Sequence, residues 1–268
     1  NGGLYRGVKP VMWSTVEKTA LAEAEIEYHD HTSTTIYAKF PIKQANNDSL
    51  INCNVVIWTT TPWTMPGNRA VAFGKHFEYS LIQVKSVLED SLAIVNDKII
   101  IASDLIETFL SETKVIDFEL VSKISLKDFE GLVLRHPLYE LGYDFDVPLL
   151  EADFVTTEQG TGFVHIAPGH GSDDFDLGVK NSLPVIETVE DDGYLKNNLP
   201  LFGGLHVLRD NEKIADLMVE QKALIGRGSL VHSYPHSWRS KAPLIFRTTP
   251  QWFISMEKND LRKKAARA

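Results

Sequence analysis

The chain carries one cysteine, Cys53, among 268 residues. That excludes a disulfide framework within the chain and any metal site caged by cysteines. A single thiol fits a reducing compartment. Long apolar runs are also missing. None approaches the roughly 18 residues that a membrane-spanning helix needs. The sequence shows no strand–helix alternation of the βαβ kind, no internal repeat and no low-complexity tract. It has no initiating Met, signal peptide or targeting segment. It opens on Asn1-Gly2-Gly3 and stops in Lys263-Lys264-Ala265-Ala266-Arg267-Ala268, which reads as a helix cut in mid-course. The expectation is a piece of a longer protein.

What remains is ordinary for a globular chain, with 43% hydrophobic and 24% charged residues. Wholesale disorder is excluded by that composition. The net charge is −9 and unevenly spread. Residues 226–268 hold nine basic and two acidic residues, a net +7, which leaves −16 on residues 1–225. An acidic body does not suit a general nucleic-acid binder. The basic stretch leaves room for local contact with a polyanion or with missing protein, for which Arg239, Lys241 and Arg247 are the candidates.

Short β-rich segments dominate. Strands are expected at 34–40, 55–59, 79–84, 92–95, 98–101 and 162–167, from β-branched, aromatic or continuous apolar runs. Helices are expected at 104–110, from Ser172 through Val179, and from Asp210 to Ile225, with Gly226 as the stop. Many irregularly spaced strands with few helices predict an α+β fold with a curved or closed sheet.

Two clusters could carry chemistry. The first runs from Trp58 through Thr59, Thr60, Thr61, Pro62, Trp63 and Thr64 to Gly67 and Asn68. Short hydroxyls there can bind a polar ligand or a water, and indoles offer stacking surface. From composition alone the simpler reading is a strand end above core tryptophans. The second runs from Gly160-Thr161-Gly162 through His165 and His170 to Asp173 and Asp174. The aspartates have a bland explanation as complements to a helix macrodipole. A metal held by His165, His170 and an aspartate matches no standard ligand spacing. No Gly-Lys-Ser/Thr follows the glycines, which weakens a phosphate loop, and Ser172 lacks the setting of a nucleophile elbow.

Together the clusters resemble the editing domain of the isoleucyl-tRNA synthetases. Thr59-Thr60-Thr61-Pro62-Trp63-Thr64 with Gly67-Asn68-Arg69-Ala70 looks like its threonine-rich signature. The stretch from Gly160 through His165 to Asp174 looks like its second. Supporting matches are Lys9-Pro10-Val11 and Thr19 to Glu25 at the front, and His232 to His236 and Thr249 to Ile254 at the back. Leucine- and valine-type editing domains usually carry Arg before the proline and an acid after it. Thr61 and Trp63 stand there instead. The His-Ile-Gly-His and Lys-Met-Ser-Lys-Ser signatures of amino-acid activation do not occur, so the resemblance implies no synthetic site in this chain.

The resemblance implies an α+β editing domain with a Greek-key β-barrel core and peripheral helices. The core would span residues 20–230, with connectors to a catalytic domain at 1–19 and 231–268. It implies hydrolysis of valine esterified to tRNA(Ile), or of valyl-adenylate. Binding alone cannot separate valine from isoleucine, because one methylene is worth about 1–3 kcal/mol, this family being the standard case. Asp174 would hold the α-ammonium, His165 would gauge side-chain size, and Thr59, Thr60 and Thr61 would fix the ester and a water. Thr64 stands nearby, Trp58 and Trp63 would flank the adenosine, and Asn68 would support the site. No cofactor is implied here, since ATP and magnesium belong to the synthetic site of the parent. The implied partners are the 3′ end of tRNA(Ile) carrying valine and the absent catalytic and anticodon-binding domains, in a cytoplasmic protein with no membrane contact. Some relatives bind zinc through two Cys-x-x-Cys pairs. The matching positions are Ser14 and Glu17, with Ser237 and Ser240, and no zinc is expected. The rival functions are a leucyl- or valyl-type editing domain, a barrel that only binds RNA ends, and a metal-dependent hydrolase using His165 and His170.

Overall fold

The computed structural model describes residues 3–268, so the Asn1-Gly2 start lies outside the described residues. The strands are β1 (Leu4–Ser14), β2 (Thr19–Ala20), β3 (Ile26–Gln44), β4 (Asn54–Thr59), β5 (Ala70–Phe73), β6 (Tyr79–Val87), β7 (Lys98–Ala102), β8 (Val115–Ile124), β9 (Val133–Arg135), β10 (Asp146–Glu151), β11 (Phe163–Ile166), β12 (Leu224–Ser237) and β13 (Ile245–Ile254). The helices are α1 (Ile106–Thr113), α2 (Ser172–Lys180), α3 (Asn211–Glu220) and α4 (Leu261–Arg267).

β3 is the pivot. Over its 19 residues it pairs in turn with β12, β4 and β9. The resulting mixed sheet runs β11-β5-β10-β9-β3-β4-β7-β6-β8, with β12 on β3. β4 reads as a continuous apolar run because Val55, Val56 and Ile57 are all fully buried, which leaves neither face of the strand for water. Ile36, Phe40, Ile82, Ile99, Ile100 and Ile101 complete this part of the core.

The α+β expectation holds, but the barrel is not closed. β11 and β8 end the hydrogen-bonded order, and no ladder joins them. The sheet rolls far enough for the segment before β11 to press on β7, where the Ala102 amide donates to Thr161 O at 2.9 Å. Here the glycines of the second cluster find their purpose. A Cβ on Gly162 would stand 2.4 Å from the Ala102 Cβ, and one on Gly160 3.3 Å from the Trp58 Cβ. Both have positive φ, +78° and +84°. They let the chain pack closely against Ala102 and Trp58.

Two local expectations fail. Residues 92–95 form a loop in which Ile94 and Val95 are half-exposed. Four apolar residues in a row cannot by themselves distinguish strand from loop. The helix expected to reach Ile225 ends at Glu220. Lys222 turns at φ 57°, and Leu224 and Ile225 enter the core as the start of β12, with Gly226 inside that strand. Helical spacing continued by chance into residues that are buried for another reason.

A separate three-stranded sheet, β13-β1-β2, joins the two ends of the chain. Beside it, the four positions Ser14, Glu17, Ser237 and Ser240 meet. The Glu17 carboxylate accepts from the hydroxyls of Ser14 and, at 3.2 Å, Ser237. The Ser240 amide donates to Ser237 Oγ at 3.4 Å. Burial alone would raise the Glu17 pKa, but the serine bonds outweigh it and lower the value.

Candidate functional site

The two sequence clusters abut. The Arg69 amide donates to Ile166 O at 2.8 Å, and β5 then pairs antiparallel with β11, His165 opposite Val71. β4 delivers the threonines. Thr59 Oγ accepts the Thr61 amide at 3.1 Å and lies 3.1 Å from Thr61 Oγ. The chain then tightens into a helical turn over Pro62–Gly67, in which every residue is buried. Pro62 supplies the restricted φ suited to a helical start.

One hydrogen-bond relay links the clusters. Asn68 Nδ2 donates to Ala70 O at 2.9 Å, which fixes which end of the amide carries hydrogen. The same nitrogen lies 3.0 Å from His165 Nδ1, so Nδ1 is the acceptor. His165 Nε2 therefore bears the proton and donates to Thr64 Oγ at 2.8 Å, while the Thr64 hydroxyl donates to Thr61 O at 2.8 Å. Burial, then repulsion from His170, lowers the His165 pKa to about 3. With its one lone pair occupied and its proton affinity depressed, His165 is a neutral wall and a poor general base. Asn68 Oδ1 is buried without a partner among the described residues.

Asp174 lies in the first turn of α2. Its Oδ2 accepts the Ala167 amide at 2.7 Å, and no cation pairs with it among the described residues. Burial raises its pKa to about 6; the Ala167 bond acts in the opposite direction and Asp173 adds to the rise. A desolvated carboxylate with backbone donors alone is short of a positive partner, and an ammonium would supply one.

The tryptophans are not brought together. Trp63 is 2% exposed and packs edge-on against the His170 ring, centroids 5.0 Å apart. It is a wall, and stacking a base on it would require opening the core. Trp58, adjacent to Thr59 on the strand and so on its other face, is partly buried and lines a separate cleft with Tyr37 and Arg227. His170 is structural. Its Nδ1 donates to Phe246 O at 3.0 Å, and its Nε2 accepts from the Thr188 hydroxyl at 2.6 Å. Neither His165 nor His170 has a nitrogen free for a metal. His136, which the sequence reading passed over, is a third buried imidazole at this turn, donating from Nε2 to Met65 O at 3.0 Å. No local signal marks it, since its partner is 71 residues away.

The basic stretch is spoken for in part. Arg247 is 5% exposed, ion-paired with Asp191 at 2.5 Å and stacked 4.6 Å from the Trp13 ring. It does not face a polyanion. Lys241 pairs with Glu27 at 2.6 Å, and Arg239 lies over Trp238 at the surface.

Three buried imidazoles with lowered pKa values should make the fold acid-sensitive. His136, His165 and His170 have pKa values lowered to about 3, 3 and 4, chiefly by burial. Unfolded, each binds a proton near pH 6.5. Stability is complete above that pH and falls as pH drops towards the folded values. Asp174, raised to about 6, takes up one proton in the folded state and offsets one of the three. Near pH 5 the balance is about two protons, or about 2.7 kcal/mol per pH unit. Urea unfolding between pH 6 and 4.5 should show His170→Asn flattening the slope by about 1.4 kcal/mol per unit. An unchanged slope would mean that His170 is already charged.

A family profile for class I tRNA synthetases (I, L, M and V) matches residues 1–268. The chain belongs to this family, the class I aminoacyl-tRNA synthetases for isoleucine, leucine, methionine and valine. In sequence it matches isoleucine–tRNA ligase. It is 54% identical over 267 residues to that of Pelagibacter ubique, 100% of this chain and 29% of the relative. It is 47% identical over 282 residues to that of Gluconobacter oxydans, again 100% of this chain and 29% of the relative. The chain thus spans less than a third of the length of these relatives. In fold it matches the crystal structure of GlLeuRS-CP1, with a TM-score of 0.55 at 15% identity, covering 72% of this chain and 98% of that one. That likeness is one of fold.

Proposed function

We propose that this region edits: as part of an isoleucyl-tRNA synthetase, it hydrolyses valine wrongly esterified to tRNA(Ile). The observations that carry the reading are a desolvated Asp174 carboxylate, which accepts the Ala167 amide but has no cationic partner among the described residues, and a neutral wall at His165, fixed in one tautomer by Thr64 and Asn68. The first suits an α-ammonium, and the second a small apolar side chain. The isoleucine–tRNA ligase relatives and the CP1 fold support the same reading.

In this mechanism the ester carbonyl and the attacking water are oriented by the threonine hydroxyls of Thr59, Thr60 and Thr61. His165 takes no proton. Rate comes from orientation and electrostatic placement rather than from a protein nucleophile. Trp58, partly buried but lining a surface cleft at the strand end, remains available to the adenosine, whereas Trp63 braces the turn from inside. The β13-β1-β2 sheet, where the chain ends meet, serves as the connector to the catalytic domain.

The test is hydrolysis of Val-tRNA(Ile) and Ile-tRNA(Ile) by the full-length enzyme, with and without a chelator. Rapid release of valine, slow release of isoleucine and indifference to the chelator are expected. Binding of tRNA without hydrolysis would instead make the region an RNA-end binder, and chelator inhibition would revive a metal.

A further inference from the structure

The turn that bears Thr64 is held from a second side. His136, 1% exposed, follows β9 and reaches across to Met65 O with its Nε2–H at 3.0 Å. Its Nδ1 accepts the Leu138 amide at 3.1 Å. Both nitrogens are thus committed, one as donor and one as acceptor, and a change of tautomer would break both bonds. The ring is also wedged. It stacks on Tyr143 with centroids 4.7 Å apart and planes at 25°, and it meets Phe145 at 5.5 Å and the edge of Phe40 at 6.0 Å. Tyr143 is itself anchored by its hydroxyl to Pro200 O at 2.9 Å.

The shared acceptor is what matters. Met65 O also receives the Asn68 amide at 3.1 Å, the bond that closes the turn. Asn68 is the residue whose side chain sets the His165 tautomer, and Thr64, one residue before Met65, receives the His165 proton. A rotation of the Met65 peptide would therefore move both partners of His165 together.

We propose that His136 is a positioning residue of the deacylation site, holding the Pro62–Gly67 turn through Met65 at the place where Thr64 and Asn68 both reach His165. The proposal rests on the editing reading and adds to it a residue that touches no substrate.

Two substitutions in the full-length enzyme separate the two bonds of His136. Glutamine extends an N–H to the position of Nε2 and can keep the bond to Met65. Asparagine offers an acceptor near Nδ1 but cannot reach Met65. His136→Gln should keep kcat for Val-tRNA(Ile) hydrolysis within about threefold of wild type. His136→Asn should lose about tenfold or more in kcat with KM little changed, and amide exchange at Asn68 should accelerate. Equal kcat in the two variants, or unchanged exchange at Asn68 in the asparagine variant, would overturn the proposal. If circular dichroism shows that His136→Asn does not fold, the glutamine variant decides alone: retention within threefold supports the tether and a tenfold loss overturns it. Absence of hydrolysis by the wild type would strike at the editing reading instead, and the exchange result would still report on the tether.

Discussion

Asp174→Ala in the full-length enzyme is expected to lower kcat/KM for Val-tRNA hydrolysis by about two orders of magnitude. Truncating one partner of a desolvated, charge-assisted pair costs about 2–5 kcal/mol, and 2.7 kcal/mol is about a hundredfold. Asp174→Asn should be nearly as damaging, although it keeps the shape and can still accept the Ala167 amide, because the missing quantity is charge. The same substitution should stabilise the fold at pH 8. The ionised carboxylate is disfavoured by burial in the folded state, so removing it relieves about 1–3 kcal/mol. Below about pH 4 the carboxyl is protonated whether folded or not, and the gain should vanish. A residue retained at a cost in stability and essential for turnover is what a binding anchor looks like. The pH profile supplies a third reading. With a pKa of about 6, Asp174 should impose a fall in kcat/KM below pH 6 that both substitutions abolish. Undiminished hydrolysis by Asp174→Asn would remove this carboxylate from the site.

His165→Ala should change specificity rather than simply lower the rate. Its imidazole, 7% exposed, is held between Asn68 and Thr64 and cannot swing aside to admit a larger group. Removing it should let the enzyme hydrolyse correct Ile-tRNA at least about tenfold faster, the scale on which one methylene is sensed. Val-tRNA hydrolysis should stay within about tenfold of wild type, because a neutral imidazole with its lone pair occupied supplies no proton transfer. The variant should also lose about 2–4 kcal/mol of stability, since a cavity opens and the Asn68 amide and Thr64 hydroxyl lose a partner. Both aminoacyl-tRNAs must be measured: full protection of Ile-tRNA by a folded variant would end the size-gauge role.

Much of the candidate site is legible in residue order because its parts lie in two short segments. Thr59 to Asn68 fall within one strand end and turn, and His165 to Asp174 within one strand end and helix start. Reading the glycines of the second segment as packing residues needed the structure. Gly162 is dictated by Ala102, 60 positions earlier, and nothing local reports a methyl group that a Cβ at residue 162 would meet at 2.4 Å. The two tryptophans were misread as a pair for a similar reason. Five residues apart in sequence, they are separated by a turn that sends Trp63 into the core and leaves Trp58 on the opposite face of the strand. Arg247 looked like part of a basic surface until Asp191 and Trp13 enclosed it.

By itself the sequence determined the class of fold, the family and which side chains could do chemistry, because composition, strand periodicity and short motifs are properties of neighbours along the chain. The tertiary structure alone decided protonation and reach. His165 is neutral with its proton on Nε2 because Asn68, 97 positions away, donates to Nδ1, and because burial disfavours a second proton. The Asp174 pKa is raised to about 6 because burial outweighs the backbone donors, Ala167 among them, that favour the carboxylate. The Pro62–Gly67 turn is held by His136, whose partner Met65 lies 71 residues off. Desolvation and hydrogen-bond geometry depend on which distant segments arrive at a point in space, and residue order does not specify that until the sheet has rolled.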